Sequence, residues 1–435
     1  MQTPLPLTSR GRGCRRQQGG YALLVAVFSM LLLAGLIAAS SESGRARIGI
    51  SEHAVVAPAR AREVALAGVA ESVSWFRRQT VQPVKSFTPQ LDLAATPPIN
   101  ETADPSVGLV REYEITPGVW ARYEVHIGTP AESFTDSDGD GIYTLGVDPF
   151  DDDNGNGKHD AAHGVRDVST ERGQVGAGSV WVIESRGHLY KRPRAGLPLG
   201  DGPNRRVATH SVATEIRRMT ITPPTAAAIC ARRGYNVTIG SRARIRGNGG
   251  AGVGYRDGTA SPNFLSGSEV SGSPSSTSVP SFQFGLTSVF GNNLTSLKSM
   301  ADSAVSDHSV LPANLGEYTL TVIEGDAYFT KDRPLRGTGI VIVTDDCFIE
   351  AGSNSFFNGV LWVQDDLIID GPCYLRGTCI VGDRVEVTGT GGDHAEIEYD
   401  GGLVSELMTR MGGYRASKAI FRLGNDVAVT QGGAP

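Results

Sequence analysis

The sequence predicts an α+β protein: a long N-terminal helix that crosses a membrane and then lies on a small antiparallel sheet, followed by a short β-solenoid. Three observations carry this expectation. Tyr21–Ala39, YALLVAVFSMLLLAGLIAA, contains no charged residue. Val119–Ile127 alternates apolar and polar side chains with the period of a half-buried strand. Four segments, starting at Thr319, Gly339, Gly359 and Gly377, repeat one pattern of strand, turn and strand at offsets of 20, 20 and 18 residues.

The apolar segment is long enough for one span. At about 1.5 Å per residue it spans roughly 28 Å as a helix, near the thickness of a bilayer's hydrocarbon core. The preceding leader, residues 1–20, carries Arg10, Arg12, Arg15 and Arg16 and no acid, so the positive-inside bias predicts a single pass with its N-terminus inside and its C-terminus outside. Leu66, Val69, Val73 and Phe76 then fall at three- and four-residue spacing, which extends the predicted helix through residue 80 with an apolar stripe that needs a sheet to cover it. Pro58 kinks or restarts it.

With 435 residues, two or three domains and a self-sufficient core are expected. Without the leader the chain has 36 basic and 46 acidic residues, a balance of about −10 that argues against nucleic acid as a partner. Cys14 belongs to the leader; Cys230, Cys347, Cys373 and Cys379 remain, with three possible connectivities in an oxidising compartment and no C-x-x-C pair to hold zinc.

The head, residues 81–225, follows. Residues 83–105 are rich in Pro and Thr and read as a loop; Val119–Ile127, Ser179–Gly187 and Arg205–Met219 read as strands separated by Gly and Pro clusters. An insertion at 134–167 interrupts this sheet. Asp136, Asp138 and Asp140 precede Gly141, and Asp152, Asn154 and Asn156 precede Gly157 sixteen residues later. Alternate residues of a tight turn aim oxygens at one centre while Gly permits the bend, and the carbonyl of Ile142 or Lys158 adds a further ligand for a hard cation. The twelfth positions are Val147 and His163, so the closing carboxylate must be Asp148 or Asp151 for the first loop and Asp160 or Asp167 for the second. Nine acids lie within the 32 residues from Asp136 to Asp167, and calcium in a structural role would relieve their repulsion. The pattern resembles the calcium-binding Asp/Asn-Gly repeats of secreted bacterial proteins.

Residues 226–402 form the predicted solenoid module. Tyr235–Gly247 carries an earlier copy of the repeat, and residues 247–315 read as a flexible Gly/Ser-rich insertion with short helices near Leu286–Val305. Asp326, Asp345, Asp346, Asp365, Asp366 and Asp383 fall at the turns, which suit Asp without any catalytic role. Residues 403–435 read as a capping helix and tail. No G-x-S-x-G, Walker loop or H-E-x-x-H occurs, so no enzyme is expected.

The basic leader, Gly19-Gly20 and an apolar helix opening on Tyr21 together resemble the class III leader of type IV pilins and pseudopilins. The repeats of residues 234–400 resemble the β-helical region of PilX-like pilus-assembly proteins. This resemblance implies a transmembrane pilin helix, cleavage between Gly20 and Tyr21, an inner-membrane location before assembly into a pilus or on the cell surface, and other pilins or pseudopilins, a prepilin peptidase and an inner-membrane assembly platform as partners. Pilins usually have Glu at the fifth mature position; Val25 stands here, which implies a minor or tip subunit. The alternatives are a type II secretion tip pseudopilin, a membrane-anchored adhesin and a β-helix carbohydrate-active enzyme.

Overall fold

In the computed structural model, which describes residues 56–128, 135, 137, 144, 147–151, 164–174 and 176–424 (side chains to 418), helix α1 spans Ala57–Arg78. Pro58 occupies its first turn, where the missing N–H costs nothing, and Arg77 and Arg78 close its last turn, where cations suit the helix dipole. The face that α1 buries is rotated from the expected stripe. Ala61, Ala65, Val69, Ser72, Trp75 and Phe76 are buried, while Leu66 and Val73 are only half-buried. The cause is close backbone approach: a Cβ on Gly187 would lie 2.2 Å from the Ala61 carbonyl, and one on Gly68 would lie 2.2 Å from Ser185 Oγ. Small residues therefore face the sheet, and larger apolar ones flank the contact.

That sheet belongs to the head. A two-residue hairpin, β1 (Leu91–Asp92) and β2 (Ile99–Asn100), lies in the segment read as loop. Then come β3 (Gly108–Thr116), β4 (Val119–His126), the short β5 (Arg166–Asp167), β6 (Val180–Lys191) and β7 (Arg205–Met219). The C-terminal strand Gly413–Gly424 joins them, giving the antiparallel order Gly413–Gly424, β7, β6, β4, β3, with β5 on β6. Trp75, Phe76, Phe87, Trp181 and Tyr414 form one aromatic cluster, in which Phe76 lies 5.1 Å from Trp181 and 4.9 Å from Tyr414. Burying each such ring stabilises the fold by roughly 1.5–3 kcal/mol.

The solenoid is parallel throughout. Strands Glu317–Ile323, Arg336–Val343, Ser355–Val363 and Cys373–Val381 pair in series, with Thr319, Gly339, Gly359 and Gly377 in one row. These residues open the four repeats. Gly359 has φ +155°, and a Cβ there would sit 1.9 Å from the Gly339 carbonyl, so the row admits only glycine where coils touch this closely. Before the glycine, side chains alternate between core and solvent; after it, every residue is buried. A second set of short strands, Ala327–Phe329, Cys347–Ile349, Leu367–Ile369 and Val385–Val387, completes the coils.

Axial order differs from chain order. Ala227–Ala231, Val237–Ile239 and Ala243–Arg246 pair with Cys373–Val381, Val385–Val387 and Ala395–Tyr399, so the first coil in the chain stacks beyond the last. Ala251–Arg256, Asn263–Phe264, Glu269–Ser271 and Ser276–Val279 then continue the stack. Residues 247–279 are therefore coil rather than a flexible insertion. Their Gly, Ala and Ser content lets backbones approach, as at Gly252, where a Cβ would lie 2.6 Å from the Ser275 carbonyl. The remainder of the expected insertion holds α2 (Leu286–Phe290) and α3 (Leu294–Met300).

Two apolar cores result. One lies inside the coils, with Ile229, Val343, Leu361, Leu367 and Val381 among its members. The other lies outside them, where Ile340, Val360, Trp362 and Ile380 meet Phe290, Leu297, Leu407 and Met219. Helix α4 (Gly401–Arg410) thus covers the side of the solenoid and does not cap its end. Cys230, Cys347, Cys373 and Cys379 are free and buried; burial pushes the Cys230 thiol up to about 11 and Cys373 to about 12.

The described chain is mostly β, with parallel coils forming its larger part and four α-helices among the described residues, rather than α+β with a long pilin helix and a short solenoid. No helix among the described residues is long and apolar enough to cross a membrane, so neither a transmembrane helix nor a single-pass inner-membrane location is supported. Tyr21–Ala39, on which that expectation rests, lies outside the described residues.

Candidate metal loop and the polar columns of the solenoid

Of the residues read as metal ligands, Asp148 and Asp151 are described. Asp136, Asp138, Asp140, Ile142, Asp152, Asn154, Asn156, Lys158 and Asp160 lie outside the described residues, as do Gly20 and Tyr21. Asp148 is 4% exposed. Its Oδ1 accepts the Ser137 N–H at 2.7 Å and its Oδ2 the Thr144 N–H at 2.8 Å. The Thr135 N–H donates to the Pro149 carbonyl at 2.8 Å, which pinches the loop shut at the same level. Asp148 thus ties the Ser137 and Thr144 amides together. Among the described residues each oxygen takes one N–H. Asp151 is exposed.

Asp167, one of two candidates for closing the second loop, is committed elsewhere. It accepts the Ser169 N–H at 2.9 Å and the Gly178 N–H at 2.6 Å, tying the turn that leads into β6.

The turn aspartates of the solenoid fall into two columns. Asp326, Asp346, Asp366 and Arg384 share one, each beside the strand residue that the next coil repeats. Asp326 accepts the Asp346 N–H at 3.3 Å, Asp346 the Asp366 N–H at 2.9 Å, and Asp366 the Arg384 N–H at 3.0 Å. Carboxylates thus satisfy amides one coil ahead, and Arg384 Nε returns to Asp366 at 3.1 Å. Asp383 accepts from Arg233 and Asn236 of the coil beyond. The carboxylates of Asp326, Asp345 and Asp346 come within 4.8 Å of one another, two of the residues being exposed. Burial, then the neighbouring acids, pushes Asp346 and Asp365 above the usual carboxylate range. These bonds tie the turn of each coil to the next.

Two further polar sites escaped the sequence reading. On the head, opposite α1, Glu124 Oε1 meets Arg122 Nε at 2.5 Å, and Oε2 lies 3.0 Å from His126 Nε2 and 3.6 Å from His188 Nε2. Thr209 Oγ1 holds His188 Nδ1 at 2.9 Å. Burial pushes the Glu124 carboxyl up, but hydrogen bonds from His126 and His188 and the charge of Arg122 outweigh it and hold the group far below the usual range. Strand alternation already put Arg122, Glu124 and His126 on one side; only pairing of β4 with β6 brings His188 beside them. The second site is a groove on the solenoid near Phe356, where no motif exists to betray it.

No known family, characterised protein or solved structure matches this chain.

Proposed function

We propose that the protein is a non-enzymatic, minor pilin-like subunit of a type IV pilus, assembled through its apolar segment Tyr21–Ala39 after removal of residues 1–20. The observation that carries this reading is the order of the N-terminal features: basic leader, Gly19-Gly20, then a charge-free run opening on an aromatic residue. An amphipathic helix laid on an antiparallel sheet supports it, because such a head needs no partner to cover its apolar face. The amide-binding role of Asp346 and Asp366 supports the non-enzymatic reading. Val25 favours a second reading, the tip pseudopilin of a type II secretion system, since a subunit with nothing ahead of it has no neighbouring amine to neutralise.

The partners under this reading are other pilins, a prepilin peptidase and an assembly platform. N-terminal sequencing of the protein recovered from sheared filaments tests it: Tyr21 as first residue is expected, and an intact Met1 on a chain missing from the filament fraction overturns it.

Calcium belongs to the same proposal, in the loop that Asp148 closes. Asp136, Asp138 and Asp140 would supply carboxylates and Ile142 a carbonyl, while Asp148 holds the loop's ends together. Chelation is expected to speed proteolysis between residues 129 and 163 several-fold, with calcium restoring resistance; equal digestion in EDTA and calcium rules the ion out.

A further inference from the structure

On the half of each long strand that precedes the glycine row, two rows of side chains face outward. One row runs Arg336, Phe356, Tyr374, Glu396 and the other Thr338, Asn358, Arg376, Glu398. At the Glu396 end the polar groups consume one another. Tyr374 donates to Glu398 at 2.6 Å, Arg246 pairs with Glu396 at 2.8 Å, and Arg376 pairs with Asp400 at 2.5 Å.

The Arg336 end is different. Arg336, Phe356, Asn358 and Glu317 line a groove of about 300 Å³. Neither Arg336 nor Glu317 has an ion-pair partner among the described residues. Asn358 Oδ1 is buried and accepts no hydrogen bond among the described residues. Phe356 is 49% exposed, and Tyr374 stacks on it at 5.5 Å, fixing the ring with apolar surface in water. A rigid aromatic platform rimmed by a planar donor, a planar acceptor and an amide is a site with its hydrogen-bonding capacity unspent.

We propose that this groove binds a hexose ring of a polysaccharide. A pyranose offers one face of C–H groups, which matches the Phe356 ring, and a rim of adjacent hydroxyls, which matches forked side chains such as Arg336 and Glu317. Each hydroxyl both donates and accepts, so one ring can satisfy the guanidinium of Arg336 and the carboxylate of Glu317 together. A phosphate ligand is disfavoured because Glu317 repels it. An extended peptide finds little edge to add to, because Arg336–Val343 and Ser355–Val363 are paired on both sides and Glu317–Ile323 already pairs with Ser303–Val305 at its last three residues.

The full-length protein is to be applied to an array of neutral and uronic-acid oligosaccharides, and the best binder titrated by calorimetry. Wild type is expected to bind with millimolar affinity or better. Phe356→Ala should lose at least tenfold, Phe356→Trp should retain binding, and Arg336→Ala should lose three- to tenfold. Because half of the Phe356 side chain stands in water, Phe356→Ala should unfold within a few degrees of wild type, which separates lost binding from lost fold. Absence of binding to every oligosaccharide by wild type overturns the proposal, as does binding that Phe356→Ala leaves intact. Neither result bears on filament assembly.

Discussion

In the head, the core lies between one helix and one surface of an antiparallel sheet, whereas the solenoid encloses one core within its coils and builds a second against α2, α3 and α4. The head relies on a few large rings, Trp75, Phe76, Phe87, Trp181 and Tyr414, contributed by distant parts of the chain. The solenoid relies on repetition: Val343, Val363 and Val381 stack in register, and the glycine row sets how closely coils approach. Damage to the head is therefore local to one cluster, while damage to a coil is passed to the coils on either side.

That contrast can be broken most severely at Gly359. Gly359→Val forces a β-branched residue to φ +155° and into the Gly339 carbonyl, and should cost at least about 4 kcal/mol. Hydrogen exchange is expected to lose protection in strands 336–343 and 373–381 while β6 and β7 keep theirs; an undisturbed solenoid would show that the glycine row is not required.

Phe76→Ala should cost about 3–4 kcal/mol by opening a cavity in the aromatic cluster. Here the pattern of exchange should invert, with β6, β7 and Gly413–Gly424 loosened and the central coils protected. Equal loss in both regions would mean that head and solenoid unfold as one unit, joined through Arg415 and Asp302 at 2.8 Å.

The smallest expected effect comes from Glu124. Its folded-state pKa lies below the ordinary 4.5, so the carboxylate stabilises the head in full above that value and loses its contribution as pH falls through the folded-state value. Melting temperatures of wild type and Glu124→Gln should differ at pH 7 and converge in strong acid. A gap that widens on acidification would assign the stabilisation to another group.

Much of this architecture is written locally. The offsets separating Thr319, Gly339, Gly359 and Gly377 are the coil lengths seen in the pairing, because each repeat must place its apolar column and its glycine over the last. The alternation in β4 places Tyr123 and Val125 inside, and Arg122 and Glu124 outside, by the two-residue period of a strand. The amides of Ser137 and Thr144 that Asp148 accepts have no signature in the spacing of the acids.

Other features had no local signature. Strand β3 lay beside a Pro-rich loop, and Gly413–Gly424 reads as a tail because its partner, β7, precedes it by about 200 residues. The buried face of α1 is chosen by Gly187 of β6, so periodicity of large apolar residues pointed one position away. The groove at Phe356 exists only because coils stack Arg336, Phe356 and Asn358 side by side.

Composition and spacing alone established the repeating coil and the half-buried strands, since each follows from neighbours within about twenty residues. The order in which coils stack, the strand that completes the head and the clustering of His188 with Glu124 were settled by folding in three dimensions. Every coil presents the same unpaired edge to every other, so nothing short of closing the whole core selects which two edges meet.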